Sequence, residues 1–217
     1  MSDKDNRDSI AGVVLAGGKS RRFGDGGKAN KAAAMLGGEP LLTLTMGRAR
    51  KQVRDLALNI NQALDFPLPD ELARLPQLPD RPQIHAGPLA GVLAGLEWAA
   101  SLGEPVTRLA CFAVDTPFFP DDFVDRLWQE KDQGEIICAE SEGHHHYLAS
   151  LWPVSLAGDL RQKLEEEPGL SVRSYLATRR TAFILFPEQD FDPFFNINRT
   201  DDMAEAEKIY QRHFVRI

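Results

Sequence analysis

The sequence predicts an α/β fold with a doubly wound, mostly parallel (mixed) sheet, and three observations carry that expectation. Short apolar runs rich in β-branched residues alternate along the chain with stretches of helical periodicity. The first run, Ile10-Ala-Gly-Val-Val-Leu15, is almost wholly apolar, as a strand buried on both faces must be. Polar residues gather just past the ends of these runs, where such sheets bind ligands: Gly17, Gly18, Asn59, Asn61 and Asp115.

The elements follow in order. After Leu15, a glycine-rich basic segment runs from Ala16 to Lys31. Leu41 to Val53 reads as a helix, and Leu56 to Asn61 as a second strand with polar residues at its end. Residues 62 to 86 carry Pro67, Pro69, Pro76, Pro79 and Pro82, which predict a surface excursion without a long regular element. Pro88 suits the first turn of a helix that runs to about Leu102, because its missing N–H is not needed there. Arg108 to Val114 is an apolar strand with Asp115 at its carboxyl end. Asp121 and Asp122 open a helix whose Phe123, Val124, Leu127 and Trp128 share one face. Glu135 to Ala139 and His146 to Leu151 read as strands, and Leu156, Leu160 and Leu164 stripe a helix. Thr181 to Phe186 is a last strand, and Thr200 caps a final helix to about Arg212. Trp98, Trp128 and Trp152 sit at spacings that predict core packing.

A length of 217 residues fits one domain spanning 1–217, and a hydrophobic fraction of 43% is enough for a packed core. The net charge of −7 argues against a general nucleic-acid binder, which needs excess basic surface to meet a phosphate backbone. Met1 to Ser9 is polar, and no apolar run is long enough to span a bilayer, so no membrane partner is expected. Cys111 and Cys138 lie in apolar segments without C-x-x-C spacing; they read as buried reduced thiols and predict a cytoplasmic protein. Positive charge is concentrated locally. Lys19, Arg21, Arg22, Lys28 and Lys31 fall close together, opposed only by Asp25, and point to a small anionic ligand.

The loop after the first strand fails two familiar phosphate-binding patterns. A Walker A loop would need glycine at position 13, which is Val13. Adjacent Gly17 and Gly18 do not give the G-x-G-x-x-G of a dinucleotide fold. Two glycines remain whose exposed amides can donate to phosphate oxygens, with Arg22 and Lys31 to neutralise charge; the plainer alternative is a solvated basic turn.

Leu15-Ala-Gly-Gly-Lys-Ser-Arg-Arg-Phe-Gly24, Asn30-Lys31 and Gly38-Glu-Pro-Leu-Leu42 together resemble the signature of MobA-type molybdenum cofactor guanylyltransferases. Leu58-Asn59-Ile-Asn61, Gly87-Pro-Leu-Ala-Gly91, Asp115-Thr-Pro-Phe-Phe-Pro120 and Phe195-Asn-Ile-Asn198 match the later family blocks in order, so the resemblance covers nearly the whole chain. The first block marks the broader nucleotidyltransferase superfamily, and the G-P-L-A-G block points to the molybdopterin branch. Two departures stand out. The gap after Gly24 is filled by Asp25-Gly-Gly-Lys28-Ala29, and the family's aspartate before the lysine is Asn30. Counting back from Pro40 assigns the family lysine to Lys31, with Lys28 as the alternative.

The resemblance implies a Rossmann-like nucleotidyltransferase fold and transfer of GMP from GTP to molybdenum-molybdopterin, with Mg2+ as cofactor. Molybdoenzymes or their chaperones would be partners. It implies catalytic roles for Arg22, Lys31 and Asp115, and nucleotide contacts from Leu15, Ala16, Gly17, Gly18, Lys31, Asn59, Asp80, Gly87 and Asp115. Asn59, or Asn61 two residues on, would read the guanine together with Asp80. Asp115, at a strand end beside a turn, suits a hard cation; Asn196 and Asn198 either complete that shell or cap the last helix. About 9–135 is then the nucleotide half and, by exclusion, about 136–217 the acceptor half.

His144-His145-His146 does not read as a metal site, because alternate residues of a strand point to opposite faces. Two other functions fit the same residues: a related enzyme using CTP or a sugar-phosphate acceptor, and a non-catalytic nucleotide-binding adaptor in molybdoenzyme maturation, which Asn30 motivates.

Overall fold

The computed structural model of the chain describes residues 7–17, 31–84, 87–188 and 190–215. In chain order, β1 (Ile10–Leu15) is followed by a 3-10 turn at Lys31–Ala33, the hairpin β2 (Met35–Leu36) and β3 (Glu39–Pro40), and α1 (Leu41–Ala49). Next come β4 (Asp55–Asn59), α2 (Asp70–Ala73), β5 (Gln77–Leu78), α3 (Pro88–Ser101), β6 (Arg108–Ala113) and α4 (Phe123–Gln129). β7 (Ile136–Ser141), β8 (His144–Pro153), α5 (Ala157–Glu166), α6 (Val172–Ala177), β9 (Thr181–Leu185) and α7 (Asp202–His213) complete the order.

β1 is buried throughout because it has parallel partners on both sides, β4 and β6. The described residues form a seven-stranded sheet in the order β5-β4-β1-β6-β8-β7-β9, in which β8 alone runs antiparallel to its neighbours. The carboxyl ends of β4, β1, β6 and β7 therefore share one edge with the start of β8. That edge is where ligands of such sheets bind.

Alternation along β1 feeds two cores. Ile10 and Val14 face one layer with Leu41, Leu42 and Met46 of α1 and Phe123 of α4. Ala11 and Val13 face the other, with Leu89, Val92, Leu93 and Leu96 of α3 and Leu160 of α5. Helices thus cover both faces, the doubly wound arrangement the sequence predicts. No helix among the described residues is long and apolar enough to cross a membrane. Cys111 and Cys138 are free and buried, and desolvation pushes both thiols well up from their ordinary value.

Several boundaries differ from expectation. α1 stops at Ala49, short of Val53, and the side chain of Gln52 turns inward instead. Its amide donates to Pro120 O at 2.9 Å and its carbonyl accepts from Val124 N at 3.0 Å, so Gln52 satisfies an N–H at the start of α4. Asp122 stands at the N-cap of α4, as the sequence predicts, but makes no side-chain cap bond. Thr200 does not cap α7. The carboxylate of Asp202 takes the amides of Asn198 and Arg199 at 2.7 and 2.8 Å, which fixes the turn leading into that helix. β8 begins at His144 rather than His146, because Glu142 and Gly143 take positive φ in a tight hairpin turn that lets pairing start at once. Trp152 is fully buried, whereas Trp98 and Trp128 are half-buried. The ring of Trp128 carries Lys131 on its face.

Candidate active site

Three separate stretches of chain meet past the end of β6. Val114 still bonds across to Leu15 O, after which Asp115 leaves the sheet and its carbonyl accepts from Ile197 N at 2.9 Å. That bond pins the 190s loop alongside. Lys31 comes from the 3-10 turn under the β2–β3 hairpin, and its Nζ donates to Asp115 Oδ2 at 2.9 Å and to Asn198 Oδ1 at 3.2 Å. The two charged side chains are 12% and 23% exposed, so their attraction is less screened than that of a surface pair. The last helix helps hold this geometry: Glu207 of α7 accepts the Gly37 amide in the hairpin at 2.9 Å.

A second cluster sits past β4, at the β5 side of the same edge. Asn59 is 3% exposed and spends both amide hydrogens, one on Leu78 O at 2.9 Å and one on Asp80 Oδ1 at 2.8 Å. Asn61, two residues on and exposed, donates to Asp80 Oδ2 at 2.8 Å and to Gly17 O at 3.3 Å, and accepts from Asp80 N at 2.8 Å. Both oxygens of Asp80 are thus held while each keeps a further lone pair. The sequence left open which asparagine points inward; Asn59 is the buried one, and both hold Asp80. Neither donor of Asn59 remains for a ligand, so Asp80 is the polar group this cluster presents.

The glycines acquire a reason that differs from close approach to a ligand. A Cβ on Gly17 would lie 2.8 Å from Asn61 Nδ2 and 3.0 Å from Asn59 Oδ1. A Cβ on Gly91, in the first turn of α3, would overlap Asn59 Oδ1 outright. Both positions make room for the asparagines that hold Asp80.

Of the other expected site residues, Leu15 is buried and Ala16 half-buried, the latter donating to Asn59 O at 3.0 Å. Gly87 stands at the start of α3 with φ 55°, and Asn196 is exposed. Gly18, Arg22, Lys28 and Asn30 lie outside the described residues. The cleft lined by Arg108, Trp128, Lys131 and Pro153 opens at the amino end of β6, away from both clusters.

Sequence reasoning missed a third polar cluster. Ser141, fully buried at the end of β7, donates to Asp192 Oδ1 at 2.6 Å and lies 2.6 Å from His146 Nε2. An ionised carboxylate only accepts, so the hydroxyl hydrogen goes to Asp192 and Nε2–H of His146 donates to Ser141 Oγ. Fifty-one residues separate Ser141 from Asp192, and no local spacing announces the contact. His145 stacks on Phe183 and pairs with Glu140 at 3.4 Å. Among the described residues no group of three or more His, Cys, Asp or Glu side chains is arranged to hold a metal.

Burial lowers the pKa of His146, although nearby Asp192 works in the other direction. A histidine whose folded value is depressed stabilises the fold above its unfolded value, and the gain is lost as pH falls through the folded value. Thermal denaturation between pH 7 and pH 5 should therefore show a larger fall in Tm for the natural chain than for His146→Gln. Parallel curves would remove His146 from the acid response.

A doubly wound sheet whose carboxyl edge carries an ammonium–carboxylate–amide cluster beside a braced carboxylate defines an α/β protein with its polar groups gathered at the ligand-binding edge. The model of the MobA-like NTP transferase domain matches residues 12–182. The molybdenum cofactor guanylyltransferase of Rhizobium leguminosarum bv. trifolii (strain WSM2304) is 41% identical over 208 residues, with 93% of each chain covered. The chain belongs to the MobA-like NTP transferase family. Its fold is similar to that of molybdopterin-guanine dinucleotide biosynthesis protein A from Archaeoglobus fulgidus, with TM-score 0.71, 18% identity, and 93% and 99% of the two chains covered. It is also similar to Rv0371C from Mycobacterium tuberculosis H37Rv solved in complex with manganese, with TM-score 0.61, 15% identity, and 92% and 98% covered.

Proposed function

We propose that this chain is a molybdenum cofactor guanylyltransferase, which transfers GMP from GTP to molybdenum-molybdopterin and releases pyrophosphate. The observation that carries the reading is the shared edge. Asp80, braced for a purine, and the Lys31–Asp115–Asn198 cluster, suited to phosphates, lie on one sheet edge with Gly17 at the end of the strand between. The name of the Rhizobium relative and its identity over most of both chains support the same activity.

In this reading the terminal phosphate of the acceptor attacks the α-phosphorus of GTP directly. A new P–O bond forms as the bond to pyrophosphate breaks. Two polyanions must meet, so charge neutralisation and alignment supply most of the acceleration. Lys31, Arg22 and the amides of Gly17 and Gly18 have the role of neutralising and binding the triphosphate. Asp80 accepts from N1–H and the exocyclic amine of guanine, held there by Asn59 and Asn61. Leu15, Ala16 and Gly87 line the nucleotide.

The donor set at the end of β6 fits a hard divalent cation: one carboxylate from Asp115 and one amide oxygen from Asn198 converge on the same ammonium. Few protein ligands with the remainder from phosphate and water is the habit of Mg2+, and the similar mycobacterial protein was solved with manganese. Magnesium, when bound, would neutralise phosphate charge and orient the reacting oxygens. The acceptor belongs on the other side of Asp115, over the start of β8 and the end of β7, since the β4–β1 side is committed to the nucleotide. The reading includes a cytoplasmic location, supported by two buried free thiols, and delivery of product to molybdoenzymes or their chaperones.

The test is pyrophosphate release from GTP, CTP or UTP with Mg2+ and molybdenum-molybdopterin. Release with GTP well above CTP and UTP is expected. Preference for CTP would make the chain a cytidylyltransferase, and tight GTP binding without release would make it an adaptor.

A further inference from the structure

Asp80 sits in a segment poorly equipped to hold a carboxylate still. Pro76, Pro79 and Pro82 lack backbone donors, and regular pairing with β4 ends at Leu78. Beyond that residue, two side chains of one strand end take over. Asn59 is buried and also fills space against Gly17 and Gly91, so it serves packing as well as the carboxylate. Asn61 is exposed, and its amide is spent wholly on Asp80 and Gly17.

We propose that Asn61 is a positioning residue for base selection, clamping Asp80 by backbone and carboxylate together and tying it to the first glycine of the phosphate loop. The proposal rests on the reading that Asp80 accepts from the guanine edge. Its amide acts as a surrogate strand: Oδ1 takes the Asp80 N–H, Nδ2 takes the carboxylate, and the same nitrogen reaches Gly17 O. Among the described residues, losing it leaves Asp80 with the single side-chain bond from Asn59, free to rotate about that anchor. Rotation weakens two-point recognition of N1–H and the exocyclic amine more than it weakens general nucleotide affinity. The consequence is a loss of selectivity.

The experiment is calorimetric titration of the full chain with GTP and with ITP, which lacks the exocyclic amine, in the presence of Mg2+. For Asn61→Ala, GTP should bind about tenfold more weakly while ITP changes by about twofold or less, narrowing the GTP/ITP ratio by roughly fivefold. Because Asn61 is exposed, Tm should stay within about 2 °C. A purely structural role would lower Tm or the fraction of binding-competent protein and leave the ratio alone; that result overturns the proposal. Asp80→Asn separates the two layers. If it narrows the ratio and Asn61→Ala does not, the clamp is wrong and the base reading stands. If Asp80→Asn leaves the ratio unchanged, the base reading falls and the clamp with it.

Discussion

Turnover by Asp115→Ala or Lys31→Ala should fall by about 10²–10³ relative to the natural chain, measured as pyrophosphate release at saturating GTP. The reaction brings the acceptor phosphate against a triphosphate. A pair of unit charges at about 4 Å is worth on the order of 4 kcal/mol at an effective dielectric near 20, so loss of one neutralising cation, Lys31 itself or the metal ion that Asp115 would hold, accounts for a loss of that size. Both side chains project past the sheet edge and belong to neither apolar core, so the variants should fold. The two groups touch at 2.9 Å and serve one cluster, so the double variant should lose much less than the product of the single losses. Undiminished turnover in either single variant would refute the assignment.

The second large effect concerns Gly91. In Gly91→Ala the new methyl overlaps Asn59 Oδ1 and comes within 3.0 Å of Leu15 Cδ2. Asn59 has nowhere to retreat, since it is 3% exposed and tied to Leu78 and Asp80. Either α3 moves off the sheet or Asn59 gives up a bond. Overpacking of this kind costs about 1–3 kcal/mol, which lowers Tm by roughly 2–12 °C in a chain of this size. GTP affinity should drop about tenfold as Asp80 loses its buried support. Gly47 offers the control: it lies inside α1 with nothing within 4 Å of a built Cβ, so Gly47→Ala should raise stability by about 0.5–1 kcal/mol. Equal responses from the two substitutions, by differential scanning calorimetry, would show that contact with Asn59 does not decide the sign.

The positions that sequence reasoning found share a feature. Lys31, Asp115 and Asn198 were named individually from motif spacing, and Asp115 also from its place after an apolar strand. Their meeting at 2.9 and 3.2 Å depends on a chain crossover and a loop anchored by Ile197 N on Asp115 O. Asn59 and Asn61 were legible as strand neighbours two apart, since that spacing puts both on one face. What they hold was not legible, because Asp80 arrives from an irregular proline-bearing segment whose path no periodicity encodes. The same limit hid the Ser141–His146–Asp192 cluster, the Gln52 carbonyl that accepts from Val124 N at the start of α4, and the Asp202 carboxylate that fixes the turn before α7, where Thr200 was expected to cap.

By itself, then, the sequence determined the alternation of strands and helices, the parallel sheet, the family signature and most of the residues at the carboxyl edge. These follow from local patterning: burial on both faces forces continuous apolar strands, and ligand groups must sit where strands end. Tertiary structure alone decided which side chains brace which. It made the Asn59 donors unavailable to a ligand, turned Gly17 and Gly91 into clearance for asparagines, and joined Lys31 to Asn198 across most of the chain. The physical reason is that hydrogen bonds and excluded volume act through space at about 3 Å, whereas a sequence records only order along the chain.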